Sequence, residues 1–185
     1  MRFLFLILTL IISSVTASGV YAETLTGAMA KLDANVIFMR HALAPGFGDP
    51  DHFRLEDCAT QRNLDDTGRQ QARDIGNYLR AQNITFDAIY SSQWCRCRDT
   101  AQELNIGAWQ EFSGLNSFFQ GYADPKSTMD QLNTKLSQLP QDKITLMVTH
   151  QVVIRAATGH SPSSGGLVLY NSATNEAVPF AINNE

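Results

Sequence analysis

Cysteines and basic residues are scarce in this sequence. It has three cysteines in 185 residues, and its 14 lysines and arginines are outnumbered by 18 aspartates and glutamates. Since an acidic protein repels nucleic acid, we expect no nucleic-acid partner, and any anion must be bound in a local basic pocket. The chain also lacks low-complexity tracts and fixed-period repeats, which favours one globular domain over a repeat array.

The N-terminus carries an apolar stretch that is too short to span a bilayer comfortably. Arg2 precedes the apolar residues 3–12, and Val20 and Ala22 are small residues at the two positions that a signal peptidase reads. This pattern predicts a cleavable signal peptide at residues 1–22, cut after Ala22, and a single domain over residues 23–185. An uncleaved anchor is the alternative and would be the only membrane contact. We therefore expect a periplasmic or secreted protein.

The three cysteines predict a disulfide in such an oxidising compartment. Cys95 and Cys97 are too close together to pair with each other readily, so we expect Cys58 to pair with one of them. Metal binding is the alternative, but this spacing without a nearby fourth ligand matches no standard zinc site. The sequence also offers no carboxylate cluster and no P-loop for a metal ion. We therefore predict neither a metal nor another cofactor.

Strands and helices alternate along the chain, which indicates an α/β protein. Patterning predicts strands over 36–40, 86–90 and 144–148, and a closing hairpin of 166–170 with 177–181. It also predicts helices over 66–81, 93–104, 126–138 and 152–158, preceded by a short helix or a turn over 24–32. Asp66 or Thr67 is the expected cap of the second helix, and Ser91-Ser92 that of the third. This order predicts right-handed crossovers and a three-layer α/β/α sandwich with a mostly parallel central sheet.

Histidines and arginines follow the ends of predicted strands. Arg40 and His41 leave the first strand, Arg96 lies shortly after the second, and His150 ends a later one. If these strands are parallel neighbours, the four side chains meet at the edge where open α/β sheets bind ligands. Arginine suits phosphate oxygens, and the helix after Ser92 would add free N–H groups. The pattern predicts a pocket for a small dianion, with phosphate as the natural ligand.

Two histidines beside two arginines indicate phosphoryl transfer. A positioned imidazole can attack a phosphomonoester and form a phosphohistidine, which water then cleaves. The arginines would stabilise the charge on the equatorial oxygens during an in-line displacement. The chemistry predicts a phosphatase that acts on a small phosphorylated substrate.

Four segments within residues 36–158 form a co-linear set of motifs. They are Phe38-Met39-Arg40-His41-Ala42, the segment from Arg62 to Ala72 (RNLDDTGRQQA), the segment from Tyr90 to Ala101 (YSSQWCRCRDTA), and Val148-Thr149-His150. In order and spacing they resemble the signatures of the histidine phosphatase superfamily, in its phosphoglycerate-mutase-like branch.

The resemblance implies a role for each matching residue. It implies that His41 is the phosphorylated nucleophile and that Arg40, Arg96 and His150 complete the catalytic phosphate pocket. By the same resemblance, Ser92 and Arg98 are structural. Two further residues, Arg62 and Gln151, are expected to bind the substrate.

The general acid of the family is missing from its expected place. Members that cleave alkyl phosphates usually carry a glutamate in a Leu-x-Glu stretch after the third strand, where this chain has Leu115-Asn116-Ser117. We expect Asp49 to substitute for it, with Asp51, Glu56 and Asp124 as alternatives. Without an acid, the enzyme would favour substrates with good leaving groups, such as phosphohistidine or acyl phosphates.

Three functions therefore compete. The first is an exported phosphomonoesterase for a cell-envelope or nutrient phosphate, with an envelope glycan phosphate as one candidate substrate. The second is a phosphatase restricted to good leaving groups. The third is a non-catalytic anion-binding envelope protein, which the four intact pocket residues argue against.

Overall fold

The computed structural model describes residues 23–182. The predicted signal peptide and the last three residues of the predicted domain lie outside this range. The helices are α1 (Leu25–Leu32), α2 (Asp66–Ala81), α3 (Cys95–Leu104), α4 (Pro125–Ser137) and α5 (Gln151–Thr158). The strands are β1 (Val36–Arg40), β2 (Ala88–Ser91), β3 (Gln110–Glu111), β4 (Thr145–Thr149), β5 (Leu167–Tyr170) and β6 (Ala177–Phe180).

The described strands form one sheet in the order β3-β2-β4-β1-β5-β6. The first four strands of that order run parallel to one another, whereas β5 and β6 form an antiparallel hairpin beside β1. Strands β1 and β4 lie at the centre and are buried on both faces, which explains their continuous apolar sequences. The predictions of a mostly parallel sheet and of a closing hairpin are confirmed.

Helices cover both faces of the sheet. On one face, Ile37 and Met39 of β1 pack in a core with residues of α1, α2 and α3. On the other face, Val36 and Phe38 pack in a second core with residues of α4 and α5. Because successive strand residues point to opposite faces, one apolar strand supplies both cores. The predicted three-layer α/β/α sandwich is confirmed.

Two helix caps differ from the predictions. Helix α2 is capped by Asp65 rather than by Asp66 or Thr67, and the Asp65 carboxylate accepts the Gly68 N–H at 2.8 Å. Helix α3 begins at Cys95, without a side-chain cap, and not at Ser91-Ser92. The Ser92 hydroxyl instead lies 2.9 Å from the His150 ring. A serine that sequence rules assign to a helix end therefore positions a histidine.

A disulfide joins the long loop after β1 to the start of α3. Cys58 and Cys95 are bonded, and their Cα atoms lie 5.7 Å apart, while Cys97 is a buried free thiol. The predicted bridge from Cys58 is confirmed, and its partner is Cys95. The bridge holds the loop against the helix that carries Arg96. None of the helices within residues 23–182 has the length and apolar character needed to cross a membrane.

Candidate active site

The predicted convergence of strand ends occurs at the carboxyl edge of β1, β4 and β2. The His41 N–H donates to the Thr149 carbonyl at 2.9 Å, and the Ser92 N–H donates to the Val148 carbonyl at 2.9 Å. These bonds extend the sheet by one residue beyond each strand. As a result the rings of His41 and His150 lie beside each other, with centroids 5.5 Å apart.

His41 is held with one ring nitrogen available as a nucleophile. Its Nδ1 lies 2.7 Å from the Ala42 carbonyl, which can only accept, so Nδ1 carries the proton. Its Nε2 accepts from Arg96 Nε at 3.2 Å and therefore has its lone pair towards the pocket. Burial, and then the charge of Arg96, lower the pKa of His41 well below 6.5. The imidazole is therefore neutral at pH 7, as a nucleophile must be.

His150 is oriented by Ser92 behind it. Its Nδ1 lies 3.4 Å from an Arg96 nitrogen, which can only donate, so the ring proton is on Nε2 and is donated to the Ser92 hydroxyl. That hydroxyl in turn donates to Asn116 Oδ1 at 3.2 Å. Burial, followed by the charge of Arg96, also lowers the pKa of His150 well below its usual value. The chain of hydrogen bonds keeps Nδ1 directed at Arg96 and the pocket.

Three arginines contribute to a pocket of about 140 Å³ beside the two histidines. Arg40 donates to the Pro162 carbonyl, and its Nε is buried with no hydrogen-bond partner among residues 23–182. Arg62 donates to the carbonyls of Gly48 and Ala44. Burial, and then the nearby charge of Arg96, lower the pKa of Arg62 to about 10. An anion would relieve both the unpaired donor and the mutual repulsion of the guanidinium groups.

The six residues predicted to be catalytic or substrate-binding all line this pocket. They are Arg40, His41, Arg62, Arg96, His150 and Gln151. Gln151 is the first residue of α5 and lies at the edge, where its side chain reaches towards the Pro162 carbonyl at 3.5 Å. Their placement around one cavity is a fact of the structure, whereas their catalytic roles stay predictions.

Asp49, the expected general acid, is a buried partner of Arg96. Its two oxygens accept from Arg96 at 2.8 and 3.1 Å, and each accepts one further bond, from the Arg62 N–H and from the Trp94 indole. Both oxygens are therefore engaged as hydrogen-bond acceptors, and Asp49 does not line the pocket. This geometry disfavours the expected acid role, which stays a prediction, and favours a role in which Asp49 positions Arg96. The alternatives Asp51, Glu56 and Asp124 are exposed and do not line the pocket.

The motif residues outside the pocket hold the loop that follows His41. The Thr100 hydroxyl accepts from the Ala42 N–H at 3.0 Å, and Gln71 accepts from the Leu43 N–H at 2.8 Å. At Gly68 a Cβ atom would lie only 1.9 Å from the Leu43 carbonyl oxygen, so only glycine lets α2 pass this close. The motif residues Gly68, Gln71 and Thr100 therefore fix the backbone that follows His41.

The N-terminus of α3 offers fewer free N–H groups than the sequence suggested. The Gln93 N–H donates to Asn116, the Trp94 N–H to Ser92, and the Cys95 N–H to Gln61. Ser92 is a local acceptor, but Asn116 and Gln61 come from distant segments, and no local signal reveals them. The pocket is instead bordered by the start of α5, at Gln151 and Val152.

Sequence reasoning missed the aromatic rim of the pocket. Phe47 is 89 % exposed and Phe119 is 38 % exposed, and both line the cavity. Their ring centroids lie 5.2 Å apart in an edge-to-face arrangement. The only local signal is the pair of glycines that flanks Phe47, because the position of Phe119 depends on the fold.

Other places in the described chain offer less chemistry. A larger groove of about 710 Å³ lies between α2 and the β5–β6 hairpin, but its described lining includes no histidine, arginine or cysteine. Among residues 23–182, no group of three or more metal-binding side chains is placed to hold a metal ion. The smaller cavity with its histidines and arginines is therefore the candidate active site.

Comparisons with known proteins agree with this site and fold. A family model described as "Histidine phosphatase superfamily (branch 1)" matches residues 36–118. No curated protein matches the chain. The protein histidine phosphatase SixA, solved with tungstate, superposes with a TM-score of 0.55 at 15 % identity over 79 % of this chain and 94 % of that one.

Two further solved structures share the fold. Phosphoglycerate mutase from Thermus thermophilus has a TM-score of 0.56 at 16 % identity, over 80 % of this chain and 99 % of that one. A mycobacterial glucosyl-3-phosphoglycerate phosphatase has a TM-score of 0.55 at 12 % identity, over 79 % of this chain and 96 % of that one. At these identities the likeness establishes the fold, while the family model covers the segment with the Arg40-His41 and Arg96 motifs. The segment from residue 36 to residue 118 therefore belongs to the histidine phosphatase superfamily.

Proposed function

We propose that this chain, a phosphoric monoester hydrolase by class, is an exported phosphatase that transfers the phosphoryl group to His41 and then to water, without a metal ion. The observation that carries the proposal is the shared pocket in which neutral His41 and His150 rings lie 5.5 Å apart beside three guanidinium groups.

The charge of the pocket matches a phosphomonoester. With both histidines neutral, the arginines at 40, 62 and 96 against the carboxylate of Asp49 leave two positive charges. A phosphomonoester carries about −1.5 to −2 at pH 7. A dianion would therefore neutralise the pocket, whereas a neutral or cationic substrate would leave buried charge uncompensated.

Attack by His41 is the first chemical step of the proposed reaction. The Nε2 lone pair forms the N–P bond as the bond from phosphorus to the leaving oxygen breaks, and the leaving group departs with that electron pair. Arg40 and Arg96 are placed to donate hydrogen bonds to the equatorial oxygens, while Nδ1 of the neutral His150 ring, which faces the pocket, could accept one from a protonated phosphate oxygen. A phosphate oxygen would replace His41 as an acceptor for Arg96 and so release the Nε2 lone pair.

Water completes the cycle by attacking the phosphohistidine. A water oxygen bonds to phosphorus as the N–P bond breaks, which returns the electron pair to Nε2, and the water proton passes to solvent. The Ala42 carbonyl keeps the other ring proton on Nδ1 throughout, because it accepts from that nitrogen at 2.7 Å. The ring therefore presents the same nitrogen in every cycle.

The leaving group is the feature on which the substrate class depends. Ser117 lines the cavity where the family's glutamate is expected, and Asp49 is tied to Arg96. No carboxylate belongs to the described lining of the pocket. An alkoxide would leave without a proton donor, so the pocket favours leaving groups that are stable as anions or are protonated by solvent. The likeness to SixA, a protein histidine phosphatase by name, supports this preference.

Export is supported by the Cys58–Cys95 disulfide, since such bonds persist in oxidising compartments. With the predicted signal peptide, it favours a substrate outside the cytoplasm. Recovery of the protein from a periplasmic fraction with Glu23 as its first residue would test this part. A product that still begins at Met1 would contradict it.

Hydrolysis is tested with purified protein, p-nitrophenyl phosphate and an alkyl phosphate in the presence of EDTA. We expect turnover of the aryl ester, far slower turnover of the alkyl ester, and no turnover of either by His41→Ala. His52→Ala is the matched control because His52 is an exposed histidine of the same loop that does not line the pocket. A His41→Ala protein that retains full activity would refute the nucleophile. Phosphate binding without any turnover would leave only the anion-binding function.

A further inference from the structure

We propose that Phe47 and Phe119 form a leaving-group subsite, which selects phosphomonoesters whose leaving group is uncharged and presents a flat apolar face. This rests on the proposed phosphatase function, because it assigns the part of the substrate beyond the phosphate. An aryl ring and the C–H face of a sugar ring are the two sources of such a face.

Polar contacts join the two backbone segments that carry Phe47 and Phe119. Gln120, next to Phe119, accepts from the Asp49 N–H at 2.8 Å and donates to the Asp49 carbonyl at 3.3 Å. Gln120 adopts a left-handed backbone conformation, with φ of 63°, that residues other than glycine rarely take. The structure therefore accepts local backbone strain where the loop of Phe119 meets the loop of Phe47.

Gly48 lets this contact form. Its φ is 69°, and a Cβ atom there would lie 2.6 Å from the Gln120 side chain. On the other side, Arg62 donates to the Gly48 carbonyl at 2.8 Å. The backbone that carries Phe47 is thus anchored both to the phosphate pocket and to the segment of Phe119, while the Phe47 ring itself stays 89 % exposed.

Such exposure has a functional explanation at this position. Single exposed apolar side chains are common, but here two rings lie in contact at the entrance of a cationic pocket. A phosphate held by the histidines and arginines would direct its ester oxygen towards this rim. A flat apolar group there would cover the rings, and aromatic contacts of this kind contribute measurably to affinity.

The charges around the rim restrict the leaving group further. The described lining offers three arginines and no free carboxylate, so a cationic leaving group would meet only repulsion. A second phosphate on the substrate would add negative charge that the pocket cannot balance, because the first phosphate already neutralises its two positive charges. The rim therefore favours neutral rings over aminoalkyl or bisphosphate substrates.

Phosphonates test the subsite independently of hydrolysis, because their C–P bond resists cleavage. Calorimetry would compare inorganic phosphate, methylphosphonate, phenylphosphonate, a glucose C-phosphonate and 2-aminoethylphosphonate. We expect at least one ring phosphonate to bind about 2- to 10-fold more tightly than methylphosphonate, and the aminoethyl compound to bind more weakly. The aryl and sugar arms distinguish the two sources of the flat face.

Variants then assign the effect to the rings. Phe47→Ala and Phe119→Ala should each remove most of the ring advantage and leave the affinities for phosphate and methylphosphonate unchanged. Val178→Ala, which removes an exposed apolar side chain from β6, should change none of them. Equal affinity of ring and methyl phosphonates for the wild type, or a uniform loss for every ligand in the variants, would overturn the subsite. Failure of phosphate itself to bind would overturn the anion pocket and with it both proposals.

Discussion

Replacing Asp49 by asparagine distinguishes a positioning role from an acid role. The side chains of Asp49 and Arg96 are each only 4 % exposed, and two hydrogen bonds of 2.8 and 3.1 Å join them. Asp49→Asn keeps the size of the side chain but removes its charge, and it turns an amide N–H group towards a guanidinium that can only donate. Arg96 then remains buried with part of its charge uncompensated.

The magnitude follows from the burial of the pair. Removing one partner of a buried ion pair costs about 3–5 kcal/mol, and asparagine, which retains one acceptor, should be near the lower value. A loss of about 3 kcal/mol lowers the unfolding temperature of a domain of this size by about 6–12 °C. Because Arg96 also contacts both His41 and His150, its displacement should lower kcat/KM by about 100-fold.

The assay compares Asp49→Asn with wild type in thermal unfolding and in turnover of an aryl and an alkyl phosphate. A positioning role lowers stability and reduces both activities by the same factor, because the phosphate pocket serves every substrate. Asp130→Asn is the control, since Asp130 forms an exposed ion pair with Lys126. This variant should leave the unfolding temperature and the turnover of both esters unchanged. Unchanged stability with a loss confined to the alkyl ester would refute the reasoning and restore Asp49 as the acid.

Two further predictions concern stability. The pKa values of His41 and His150 are lowered in the fold, so as the pH falls the unfolded chain binds protons at these histidines before the folded chain does. The free energy of unfolding should therefore fall as the pH drops below about 6.5, by at most about 1.4 kcal/mol per pH unit for each histidine. A free energy of unfolding from urea titrations that stays constant down to about pH 5 would contradict this. Cys58→Ser removes a bridge between residues 37 apart and should lower that free energy by about 3–4 kcal/mol, while unreduced peptide maps of wild type should join Cys58 to Cys95 and leave Cys97 free.

The sheet and the meeting of the strand ends were predictable because both depend on local patterns. The apolar sequences of β1 and β4 identify central strands, and parallel strands necessarily bring their carboxyl ends to one edge. Once Arg40-His41 and His150 follow such strands, their proximity is a matter of topology. The pairing of Cys58 could be narrowed to two partners, but the selection of Cys95 depends on how the loop folds.

What the sequence did not reveal depends on contacts between distant segments. Asp49 lies 47 residues before Arg96, and although the predicted bridge from Cys58 ties its loop to α3, no local signal shows that the Asp49 carboxylate meets Arg96. Ser92 fits a helix cap by sequence, yet its hydroxyl is bound to His150. The contact of Phe47 with Phe119 likewise requires the tertiary fold, so the aromatic rim could be identified only from the structure, whereas the absence of the family's glutamate was visible in the sequence.

The most direct test of the account is to locate the phosphoryl group on the protein during turnover. The protein would be mixed with substrate, quenched rapidly in alkali and digested with trypsin, which cuts after Arg40 and Arg54 and releases a peptide containing both His41 and His52. We predict an acid-labile phosphate on His41, placed there by fragmentation. Turnover at full rate with a phosphate on His52, or with no phosphorylated histidine, would contradict the central claim.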